Sequence, residues 1–101
     1  MSWGRLTSVH HDEESQTIAL LAIGYIVANE DLKGRFLDLS GLDPASLRAG
    51  LDTAGVQQAA LHFLTSHEPD LVACAEVIGH SPARIAMAAR DLDTSPEGYA
   101  F

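Results

Sequence analysis

Glycine and proline cut this chain into short lengths. Gly41-Leu42-Asp43-Pro44 and Gly79-His80-Ser81-Pro82 carry the same order of signals, 38 residues apart. Glycine reaches the left-handed conformation that ends a helix, Asp or Ser accepts from the free amides of the next helix, and proline suits the first helical position. Each tetrapeptide thus reads as helix stop, spacer, cap and helix start. Glu68-Pro69 is another start, and Asp52 or Thr53 can cap a further one. A chain punctuated this way has to pack several short helices.

Between these breaks the apolar residues keep a helical period. From Glu13 to Ala28, Ile18, Leu21, Ala22, Tyr25 and Ile26 fall on one face, while Leu20, Ile23 and Val27 widen the stripe almost all round. This helix is expected to be the most buried, with Asp12 or Ser15 as its cap. A second helix, about Leu32 to Ser40, sets Leu32, Phe36 and Leu39 on one side, and a short third runs to about Leu51 with Leu47 and Leu51 inward. Val56, Ala59, Ala60, Phe63 and Leu64 mark a fourth, to about Ser66. Leu71, Val72, Ala75 and Ile78 mark a fifth, and Ile85, Ala88, Ala89 and Leu92 the inner face of a sixth.

The expected fold is all-α, a compact bundle of about six short helices. Overlaying residues 16–49 on 54–87 pairs Ile18 with Val56, Tyr25 with Phe63, Gly41 with Gly79 and Pro44 with Pro82. Two helical repeats of about 38 residues would account for that, as would coincidence among Ala-rich helices. At 101 residues the chain holds one domain, expected over 12–92, with 1–11 as a flexible N-terminal arm and 93–101 as a frayed C-terminal tail. An apolar fraction of 47% is enough to build a core.

Fourteen acidic against six basic residues give a formal charge of −8, which repels phosphate backbones and anionic membranes. Cys74 alone forms no intramolecular disulfide, and the opening residues lack the apolar stretch of a signal peptide, so the chain reads as cytoplasmic. Cys74 sits mid-helix among Val72, Ala73 and Ala75 as a small hydrophobe, with no activating base in the pattern. His10-His11-Asp12-Glu13-Glu14 offers zinc-type ligands but no second ligand pair at helical spacing. His62 and His67, five apart, point about 140° from each other on a continuous helix. His80 is expected to be solvated in its turn. No cofactor, metal or catalytic residue is expected, and the chain reads as no enzyme.

Trp3, Tyr99 and Phe101 are aromatics in polar termini, either partner anchors or covers for the core. The second tetrapeptide also resembles the turn of a helix-turn-helix DNA reader, with Ala75 in the small slot, Gly79 at the turn and Ile85 as the lock. Arg84 and Arg90 would then face nucleic acid. The six basic residues, Arg5, Lys33, Arg35, Arg48, Arg84 and Arg90, otherwise form a solvated surface unless the fold gathers some of them.

Gln16-Thr17-Ile18-Ala19-Leu20, Arg35-Phe36-Leu37 and Gly41-Leu42-Asp43-Pro44, within Gln16 to Arg48, resemble a bacterial family known as domain of unknown function 3572, and the likeness continues from Ala60 to Arg90. That resemblance implies a compact helical cytoplasmic protein from a bacterium, chiefly alphaproteobacterial, and assigns no activity. The termini, Trp3 and the His10 to Glu14 segment included, lie outside it. The expected function is a non-enzymatic protein–protein interaction module working through a helical groove; the alternative is a helix-turn-helix protein associated with DNA or transcription. Self-association remains compatible with both.

Overall fold

A computed structural model describes the backbone of residues 3–92 and the side chains of residues 13–92. Six helices follow in order: α1 (Trp3–Ala28), α2 (Glu30–Ser40), α3 (Pro44–Ala49), α4 (Ala54–Thr65), α5 (Glu68–Ile78) and α6 (Pro82–Asp91). Among the described residues no strand interrupts them, so the all-α expectation holds.

The punctuation falls where the sequence puts it. Gly41 and Gly79 close α2 and α5 with φ of 78° and 80°, their amides donating to Leu37 O and Ala75 O. The Asp43 carboxylate accepts from the Ser46 amide at 2.7 Å, and Ser81 Oγ accepts from the Arg84 amide at 3.0 Å. Thr53, rather than Asp52, caps α4 through the Val56 amide. Asn29 caps α2 by accepting from the Leu32 amide, which starts that helix at Glu30, earlier than the apolar pattern suggests. At α5 the N-cap residue is His67, whose side chain makes no cap bond.

The start of α1 differs most from expectation. The helix runs back through the segment read as a flexible arm, so neither Asp12 nor Ser15 caps it. Ser15 is instead fully buried, and its hydroxyl donates to Asp91 Oδ2 at 2.8 Å, tying α1 to the end of α6. The polarity that suggested a cap belongs to a helix-to-helix hydrogen bond, which a buried hydroxyl requires.

α1 is the central helix and packs against α2, α4, α5 and α6. It buries Ile18, Ala19, Ala22, Ile23 and Ile26. Leu21 faces outward, because the stripe is centred one residue round from the expected face. Phe36 of α2 meets Phe63 of α4 edge to face at 5.4 Å between centroids, and Leu61, Leu64, Cys74, Ile85 and Ala88 complete the core. Gln57 is buried inside α4 and donates through Nε2 to Leu51 O at 2.9 Å, fixing the link after α3. Leu39 and Val72, expected inward, are exposed: Leu39 stands near the end of α2 at 76% exposure, and Val72 falls on the outer side of α5, whose core face is Leu71, Cys74, Ala75 and Ile78.

Candidate functional site

Two grooves with carbon floors open on this bundle. The first lies between α1 and α3 and encloses about 330 Å³. Its floor is Leu20, Ile23, Gly24 and Val27 of α1, with Leu47 and Leu51 at the other wall. Leu20, Ile23, Gly24 and Val27 stand at i, i+3, i+4 and i+7, one continuous seam on the helix. Ile23 is buried, but Leu20 is 45% and Val27 38% exposed, because α3 is too short to cover them. Gly24 is an exposed notch in the seam: a Cβ placed there would meet nothing within 4 Å.

Lys33 from α2 and Arg48 from α3 also line this groove, and among the described residues no Asp or Glu does. Neither cation is held by a carboxylate among the described residues, whereas Arg35 pairs with Asp70 at 3.1 Å and Arg84 with Glu14 at 3.3 Å. The fold thus gathers two of the basic residues that look scattered in the sequence.

The second groove, about 620 Å³, runs between α2 and α4. Phe36, Leu39, Ala59 and Phe63 supply its carbon, and Arg35, His62 and His67 its polar rim. Arg35 lies 5.8 Å from the Phe63 ring centroid while its guanidinium donates to Asp70 Oδ2. The same carboxylate oxygen is 2.7 Å from His67 Nδ1, so Asp70 gathers α2, α5 and the turn before α5. His62 and His67 line one groove despite their sequence spacing. α4 ends at Thr65, so His67 has left the helix on which the 140° separation was reckoned.

The remaining candidates are placed as follows. Arg84 lines a cleft between α1 and α6 with Glu13, Glu14, Thr17, Ile18 and His80; His80 is half-buried there rather than solvated. Arg84 is largely enclosed, and the outer face of α6 carries Ala83, Met87 and Arg90. Cys74 is fully buried, and desolvation pushes its thiol up to about 11, a range in which it is no nucleophile near neutrality. Among the described residues no three His, Cys, Asp or Glu side chains converge on a metal-sized site, and no helix is long and apolar enough to cross a membrane. Trp3 opens the backbone of α1, but its side chain lies outside the described residues, as do His10, His11, Tyr99 and Phe101.

The sequence could have shown part of the α1–α3 groove. Its missed signal is Gly24, a glycine in mid-helix, where it weakens the helix and leaves a gap in the side-chain surface. The placing of Arg48 in the same groove as Lys33 has no sequence signal, since it depends on how α3 folds back.

The chain belongs to the DUF3572 family, described as proteins of unknown function, whose profile matches residues 12–95. The match takes in Asp12, Glu13 and Glu14, which the sequence reading left outside the likeness. No curated protein and no solved structure matches the chain.

Proposed function

We propose that this chain is a non-enzymatic module that binds another protein through a groove on its helical surface. The observation that carries this reading is the exposed carbon at both grooves: Leu20 and Val27 over α1, and Leu39 beside Phe36 and Phe63. Large apolar side chains gathered in a concavity leave water on association, whereas isolated ones are ordinary surface. No Ser, Thr, Cys or His among the described residues lines the α1–α3 groove, the Ser40 and Ser66 hydroxyls of the other groove donate to backbone carbonyls, and the one thiol is buried with a raised pKa. Both features fit binding better than turnover.

The helix-turn-helix alternative draws less support. Its turn geometry at Gly79 and Ser81 is a helix connection that Gly41 and Asp43 repeat in another setting. Arg84 is engaged with Glu14, which leaves Arg90 as the exposed cation on the α6 surface, too little to offset a charge of −8 against phosphate.

The test is affinity purification of the tagged protein from its native extract, with and without nuclease, followed by mass spectrometry. A defined protein that survives nuclease and is lost from Gly24→Leu or Leu39→Ser is the expected result. Recovery only of nucleic acid, or a retinue that disappears with nuclease and on Arg90→Glu, would replace this reading with the DNA-associated one.

A further inference from the structure

Resting on the protein-binding reading, we infer that the α1–α3 groove docks an acidic amphipathic helix of a partner protein. The apolar stripe of that helix sits along Leu20, Ile23, Val27, Leu47 and Leu51, and its carboxylates meet Lys33 and Arg48.

Three observations select this occupant. The floor is itself a helical seam with Gly24 at its centre, and the open space over Gly24 lets a second helix approach closely, as ridges pack into grooves. The rim has one sign of charge: in a chain with 14 acidic residues against six basic, the described residues lining this groove include two cations and no acid. Among the described residues no carboxylate claims those two cations, while Arg35 beside the larger groove is already bound to Asp70. An incoming Glu or Asp would therefore gain a charge-assisted hydrogen bond without displacing an existing ion pair. The overall charge of −8 would favour a basic partner at long range, but screening confines that field to about 8 Å at physiological salt. Contacts at the rim decide recognition within that range.

A displayed library of helical peptides of about 18 residues, roughly 27 Å long, tests this. Each member carries a fixed leucine stripe, with Glu, Lys or Ser free at the flanking positions. Selection on the intact protein is expected to enrich Glu. Gly24→Leu, whose Cβ enters open space with no atom within 4 Å, should abolish binding while circular dichroism and melting temperature show an intact fold. Lys33→Glu combined with Arg48→Glu should weaken the selected helices about tenfold or more, and a fresh selection on that variant should enrich Lys.

Enrichment of Lys on the wild type, no enrichment at all, or binding indifferent to Gly24→Leu would overturn the inference. So would a concentration-dependent dimer that buries the same seam. Helices that bind but are released by Leu39→Ser would sink this inference and leave the protein-binding reading standing on the α2–α4 groove. If purification from native extract also yields no protein partner, the broader reading fails with it.

Discussion

The turns at Gly41–Pro44 and Gly79–Pro82 have the same backbone and opposite consequences. Both glycines are left-handed, both caps bond the third residue on, and both prolines stand first in the next helix. After the second turn, α6 runs for ten residues and seals itself on α1, α4 and α5 with Ile85, Ala88 and Leu92. After the first, α3 runs for six residues, buries Leu47, and leaves part of α1 uncovered. Local grammar starts a helix; the number of apolar groups it delivers decides whether it becomes core or the wall of a groove.

Gly50 is where the two paths part. It ends α3 one residue past the overlay, where the same 38-residue offset reaches Ala88, deep in α6. A Cβ at Gly50 would lie 2.7 Å from Val56 Cγ2 and 3.2 Å from Ser46 O, so any side chain there forces Val56 to move. The shorter helix follows from that approach, and the open seam on α1 follows from the shorter helix.

The largest expected effect tests the asymmetry of burial. Ile85→Ala should cost about 4 kcal/mol in urea denaturation, and Leu47→Ala about 2 kcal/mol, because α3 borders solvent and can settle around the loss. Equal costs would break the comparison. Gly50→Ala should destabilise by about 1 kcal/mol although alanine is the better helix former, since the stiff Val56 side chain must move. If Gly50→Ala stabilises instead, the close approach is not what stops α3.

How much of this was legible before the structure depends on the range of the interaction. The caps at Asp43, Ser81 and Thr53 and both glycine stops are contacts within a few residues, and they were readable. The core face of α1 was readable to within one residue, because its stripe is broad enough to fit more than one rotation. The pairing of Ser15 with Asp91 and the placing of Lys33 and Arg48 in one groove depend on how separate helices pack, and no periodicity encodes them. The 38-residue echo extends to helix boundaries: α2 and α5 begin at glutamates 38 residues apart, and α3 and α6 at their prolines. It is not matched in packing, since α6 packs on α4 and α5 while α3 makes little contact with α1 and α2.

Smaller effects sharpen the contrast. Gly24→Leu should raise stability by about 0.5–1 kcal/mol in thermal unfolding, because the mid-helix glycine is replaced in open space. That gain, together with lost binding, would separate the groove from the fold. Ser81→Ala should cost about 1 kcal/mol through the lost cap on α6. The matching cap on α3 is acid-sensitive. The hydrogen bond from the Ser46 amide lowers the Asp43 pKa below the ordinary 3.8, so its stabilisation is present above that value. It is lost as pH falls through the folded-state pKa. Amide chemical shifts of Ser46 and Leu47 should move in acid before those of Arg84 and Ile85, whose cap does not titrate.

Native-state hydrogen exchange on the α3 and α6 amides tests the central claim most directly. The Gly50 amide, bonded to Ser46 O, should exchange through a local opening at a free energy well below that of global unfolding. The Leu92 and Ile85 amides, bonded to Ala88 O and Ser81 O, should approach the global limit. Equal protection in the two helices would contradict the account, because α3 would then be as firmly part of the core as α6, and its border with α1 would be a closed seam rather than a docking groove.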